Sequence, residues 1–166
     1  QVLGETPPEI LETQEILKKS KELHEHLRNY GQLGDKEKPL VVSAILLALQ
    51  DENFNINNLK GNKIQSDGSK IYASISNYMQ FVQVTPDTKK EKVLHQFNII
   101  KDRTLLNQID TRLEKTPLKY FTEYIQNNIL ATIKSNTKED LLGQFYGEFM
   151  RYGGGDGQTL GVILTP

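Results

Sequence analysis

Side chains able to do chemistry are scarce in this chain. There is no Cys, which removes disulfides, thiolate catalysis and Cys-ligated zinc and fits a reducing, cytoplasmic setting. His24 and His26 are two positions apart in a helical stretch, so they project to different faces and do not share one metal ion. His95 stands alone. The sequence has no nucleophile elbow, no phosphate-loop Gly-Lys-Ser/Thr and no strand-bound Gly-x-Gly-x-x-Gly. The glycines of residues 153–157 follow a helical pattern and precede an extended one, whereas a phosphate cradle needs strand, loop, then helix. They read as a helix stop and a turn. Lys18, Lys19, Lys21 and the later Lys89, Lys90 and Lys92 could meet a nucleic-acid backbone. Their acidic neighbours suit solvated helix faces equally well. No catalytic residue and no metal site is expected, and the chain is not expected to catalyse a reaction alone.

Composition narrows the frame in which any such residues must sit. A length of 166 residues suits one domain with a sizeable core. Lys and Arg total 20 against 21 Asp and Glu, so a whole-surface basic field is excluded and only a local basic patch remains open. No apolar run approaches the roughly 18 residues of a membrane span; residues 40–49, the longest, include Ser43 and reach about half that. No membrane partner is expected. The chain opens on Gln1 without a basic-then-apolar leader and stops just after the apolar residues 160–164, so both ends read as cuts in a longer protein.

Periodicity then supplies the elements. Thr6, Pro7 and Glu9 form a helix start, and Ile10, Leu17, Leu23, Leu27 and Tyr30 recur near helical spacing until Gly31 and Gly34. Asp35 is placed to cap a second helix that tolerates Pro39 in its first turn; residues 41–49 leave almost no polar face, which puts this helix mid-core. Residues 51–68 read as Asn- and Gly-rich loop with a short helical turn around 57–60. A third helix covers 69–84. Thr85, Pro86 and Asp87 break it and start one that runs through Ile100, and a shorter segment follows at 105–109. Thr116 and Pro117 open a helix carrying Tyr120, Phe121, Tyr124, Ile125, Ile129 and Ile133, and Thr137 caps the last, with Asp140 at capping-box distance. The result is an all-α bundle of about seven helices with an extended C-terminal segment and no internal repeat.

At the C-terminal end the pattern becomes specific. The sequence DLLGQFYGEFMRY at 140–152, a Gly-rich turn and LGVILTP at 160–166 resemble the lead-in to the catalytic domain of N-6 adenine DNA methyltransferases of restriction-modification systems. These include type I modification subunits and fused restriction-and-modification enzymes. Residues 22–24 and 38–40 are similar, less specifically, to the helical region that precedes this domain. The resemblance divides the chain into a helical domain, 1–152, and a Gly-rich turn with the start of a truncated catalytic domain, 153–166. It implies that Thr165 and Pro166 lie near the amino-acid end of S-adenosylmethionine, with Gly161 allowing close backbone approach. Ile163 and Leu164 stand where the family has aromatic residues. The family's Gly-rich cofactor loop and its Asn/Asp-Pro-Pro-aromatic motif for the flipped adenine do not occur here. The cofactor therefore belongs to a parent enzyme and is not expected to bind this chain well.

Two readings follow. In one, the chain is the non-catalytic helical part of such a methyltransferase, assisting DNA binding or docking a specificity subunit or domain. In the other, it is a helical protein-interaction module with no nucleic-acid role.

Overall fold

The computed structural model describes residues 8–81 and 87–131, with side chains described for 14–80 and 91–131. Within them the chain forms α1 (Pro8–Gly31), α2 (Lys38–Ala48), a 3₁₀ turn (Ile56–Asn58), α3 (Asp67–Phe81), α4 (Asp87–Gln96), α5 (Ile99–Asp102), α6 (Thr104–Asn107) and α7 (Pro117–Tyr124). Helix α7 continues directly into a π turn, Ile125–Leu130. Among the described residues there is no strand, only an isolated bridge between Asp110 and Lys115, so the all-α expectation holds. No helix there is long and apolar enough to cross a membrane.

The core is built outward from α2. Every residue from Val41 to Ala48 is buried, as its all-round apolar sequence requires. Each fully buried Val, Leu or Ile contributes about 1.5–3 kcal/mol relative to exposure. Helix α3 lies against α2 through Ile71, Ile75 and Met79 and also packs on α4, α5, α6 and α7, so it is the hub of the bundle. Helix α1 covers the side formed by α7 and the π turn. Its buried stripe is Ile16, Ser20, Leu23 and Leu27, spaced by four, three and four, while Leu17 is only half-buried. Ser20 enters this stripe because its hydroxyl donates back to the Ile16 carbonyl at 2.7 Å, which leaves an apolar exterior.

Several boundaries differ from the sequence reading, each for a local reason. Helix α1 does end at Gly31, but the left-handed residue that turns the chain is Gln32, with φ +50°. Gly31 is small because an added Cβ would press on Leu33 and Leu106 at 3.1–3.2 Å. Helix α2 starts at Lys38 behind Glu37, so Asp35 is not its cap. Asp35 instead pairs with the buried Lys38 at 3.3 Å, and Glu37 accepts the Gly34 N–H and pairs with Arg103. Helix α3 begins two residues earlier than its periodicity indicates, capped by Ser66, whose hydroxyl oxygen accepts the Ser69 N–H at 3.2 Å. The expected single helix from 87 to 100 is broken at Phe97 and Asn98, where tight turn bonds let Phe97 and Ile100 both face the core. Thr116 caps α7 as expected, accepting the Lys119 N–H at 3.1 Å. The start at Thr6 and Pro7, the helix expected from Thr137, the glycines of 153–157 and the extended end lie outside the described residues.

Packing at the start of α3 is the least forgiving point. A Cβ on Gly68 would lie 1.9 Å from the Ile100 carbonyl oxygen, a backbone atom that cannot swing aside. Gly34 faces open space, its nearest neighbour being the flexible end of Glu37 at 3.7 Å. Gly68→Ala is expected to cost about 3 kcal/mol or more in denaturant unfolding, and Gly34→Ala to stay within about 0.5 kcal/mol. Equal midpoints for the two variants would refute the placement of α3 against α5.

Candidate functional site

The surface features rest on a buried polar knot. Asp67, at the first position of α3, is fully buried. One of its oxygens accepts the Gly61 N–H at 3.0 Å and the other the Thr116 hydroxyl at 2.5 Å. Gly61 has φ +71°, a conformation that favours glycine. Next to this, Asn107 accepts the Gly68 N–H at 2.7 Å and donates to the carbonyls of Ile100 and Arg103, both at 2.8 Å. Three segments distant in sequence are thus tied to one helix end.

The knot anchors the loop at residues 53–66, which is otherwise held by its own side chains. Asn55 accepts the Asn57 N–H at 2.9 Å, and Asn62 accepts the N–H groups of Ile64 and Gln65 at 2.8 and 3.3 Å. From α3, the Lys70 ammonium donates to the Asn58 carbonyl at 2.5 Å. Between loop and helix runs a groove of about 420 Å³, lined by the amides of Asn53, Asn55, Asn58 and Gln65 and by Lys60 and Lys70. A second groove, about 780 Å³, lies on the other side of Phe54 and Asn55, toward the π turn. Its charged lining among the described residues is Asp51, Glu52 and Glu123, the last paired with Lys115 at 2.7 Å.

A third feature joins α1 to α7. His26 stacks on Tyr30, with ring centroids 5.9 Å apart, and meets the edges of Tyr120 and Tyr124 at 5.2 and 5.0 Å. Arg112, in a two-pronged pair with Asp110, lies 4.9 Å from the Tyr30 ring centre. The Tyr124 hydroxyl donates to Glu22 at 2.8 Å, with the Lys19 carbonyl 3.3 Å away. Burial, helped by the Glu22 carboxylate, pushes the Tyr124 phenol well above its ordinary range. Burial among these rings lowers the His26 pKa below 6.5, against an opposing pull from Glu22 and Glu25.

The sequence-derived candidates fall differently. Gly161, Thr165 and Pro166, expected to approach S-adenosylmethionine, and the 140–152 motif lie outside the described residues. His26 is drawn into the aromatic cluster, and among the described residues no three His, Cys, Asp or Glu side chains converge as a metal site. Lys18 and Lys21 are exposed on α1, beside a Lys19–Glu15 contact of 3.5 Å and an Arg28–Glu25 contact of 2.5 Å. The side chains of Lys89 and Lys90 are outside the description, and Lys92 is exposed. The amide-and-lysine groove was not anticipated. Its signal is present in the sequence as an acid-free run from Asn53 to Ser66, with five Asn, one Gln and two Lys.

Fold and surface define an all-helical unit with a polar groove whose shape is set by internal hydrogen bonds. No family model and no solved structure matches the chain. Over 99% of its length it is 46% identical to the type II restriction enzyme and methyltransferase RM.BcgI of Heyndrickxia coagulans. The chain spans 26% of that protein's length. It is therefore related to part of a restriction-modification methyltransferase.

The lowered His26 pKa leads to an expected pH dependence of stability. Because the His26 pKa is lower folded than unfolded, the unfolded chain binds the extra proton first. The stabilisation is fully present above about pH 6.5 and is lost as pH falls toward the folded value. His26→Phe keeps the ring and is expected to reduce the slope of urea midpoint against pH below about pH 6.5. Tyr124→Phe is expected to cost about 1 kcal/mol at neutral pH by removing the link to Glu22. An unchanged pH slope in His26→Phe would show that the ring is not what senses the proton.

Proposed function

We propose that this chain is the helical part of an S-adenosylmethionine-dependent DNA adenine N-6 methyltransferase of a restriction-modification system. Its work there is to assist DNA binding or to dock a specificity subunit or domain, in the cytoplasm. The observation that carries this is the 46% identity across nearly the whole chain to a protein named as both restriction enzyme and methyltransferase. The resemblance of residues 140–166 to the lead-in of the adenine methyltransferase catalytic domain supports the N-6 adenine assignment independently.

In this reading residues 1–152 are the helical domain and 153–166 lead into the catalytic domain. Gly161, Thr165 and Pro166 then pass beside the amino-acid end of the cofactor, and the remaining cofactor and base pocket is supplied by sequence outside this chain. The helices contribute by holding a surface in place: the bundle is rigidly cross-tied at the start of α3, so a bound partner meets a preformed shape and loses little conformational freedom.

The test is methyl transfer by the full-length protein. With labelled S-adenosylmethionine and duplex DNA of mixed sequence, the whole protein is expected to produce N-6-methyladenine, and the 166-residue chain alone none. Gly161→Val in the whole protein is expected to raise KM for S-adenosylmethionine by about ten-fold or more, the equivalent of about 1.4 kcal/mol, while leaving DNA affinity unchanged. Methyl groups found on cytosine, or no transfer by the whole protein, would overturn the assignment.

A further inference from the structure

We infer that the groove between residues 53–66 and α3 holds the phosphate backbone of DNA. The inference rests on the methyltransferase reading and names the surface that does the gripping. Three of the described surfaces are separated for that role by their charges, while the side chains of Lys89 and Lys90 lie outside the described residues. Among the described residues the larger groove is lined by Asp51, Glu52 and Glu123 and by no Lys or Arg; Lys115 pairs with Glu123 at 2.7 Å, and the remaining negative charge disfavours phosphate. The outer face of α1 carries Lys18 and Lys21, but Glu22 and Glu25 lie on the same exposed stretch and Arg28 is engaged with Glu25. The 53–66 groove has Lys60 and Lys70 in its lining and no acid. Lys63 adds a third cation on the exposed part of the same loop.

The chemistry of the lining fits the same partner. Lysine ammonium groups pair with phosphate oxygens, and Asn and Gln amides donate to phosphate oxygens and can also meet base edges. Four such amides line this groove. The loop is already shaped: Asn55, Asn62 and the buried Asp67 satisfy its backbone N–H groups, so its side chains project from a fixed frame. Ile64, directly after Lys63, is 93% exposed. An apolar side chain presented to solvent beside a cation is suited to press on sugars or base edges while its neighbours hold the backbone.

The experiment measures duplex binding by the full-length protein across a salt series, from about 50 to 200 mM. Lys60→Gln with Lys63→Gln is expected to weaken binding on the order of ten-fold for every duplex sequence and to reduce the salt slope by about two. Asn55→Asp keeps the oxygen that accepts the Asn57 N–H, so its circular dichroism melt should match the unaltered protein while binding weakens. Lys18→Gln with Lys21→Gln is expected to leave both affinity and slope unchanged. Normal DNA binding by both loop variants overturns the inference, as does an equal loss in the α1 pair. If the loop variants bind DNA normally but release a companion subunit, the groove is a protein-docking surface and the assignment to DNA is wrong. In each of these cases methyl transfer by the unaltered protein still stands, so the broader reading survives. A whole protein that neither methylates nor binds DNA brings down both.

Discussion

A carboxylate taken wholly out of water is costly unless its oxygens are occupied, and Asp67 is the residue on which this structure meets that condition. One oxygen takes the Gly61 N–H and the other the Thr116 hydroxyl. Thr116 simultaneously caps α7, so the loop, the first turn of α3 and the first turn of α7 are fixed by one side chain. Asn107 repeats the arrangement one residue further along, accepting one hydrogen bond and donating two to join Gly68 to Ile100 in α5 and to Arg103 just after it. Removing either side chain would leave buried polar groups unpaired, which costs more than the lost bond itself.

From that knot the remaining packing follows. Helix α3 can be a hub because its start is held, and α2 can be apolar on every side because α3 and the short helices cover it. The junction of α1 with α7 is different in kind. Beside the buried stripe of Ile16, Leu23 and Leu27 it carries half-buried rings, a Tyr–Glu hydrogen bond and a stacked arginine, contacts that are individually modest. The bundle thus carries buried, paired polar groups at the α3 start and a half-buried aromatic and polar rim along α1.

That division also bears on function. The two grooves flank the same loop and both carry amides, but the charged residues of one are Lys60 and Lys70 and those of the other Asp51, Glu52 and Glu123. Opposite character on the two sides of a single fixed loop allows the protein to present one side to a polyanion while the other faces elsewhere.

Helical periodicity in the sequence was enough to establish the all-α class, the central position of α2 and the opening of α7 at Thr116 and Pro117, because each of these depends on residues within a turn or two. The resemblance at 140–166 is likewise a contiguous motif, and it lies, with Gly161, Thr165 and Pro166, outside the described residues. The break at Phe97 and Asn98, the π turn after Tyr124 and the use of Ile16 with Ser20 instead of Leu17 were not legible. They are set by what lies opposite each residue. The same holds for the groove. Its amides and Lys60 fall within one run of sequence and Lys70 comes from α3, but their arrangement was decided only when Asp67 met Thr116, 49 positions away. Local patterns record the cost of exposing apolar groups, whereas a buried hydrogen bond between distant segments leaves no periodic trace and exists only once the chain has folded.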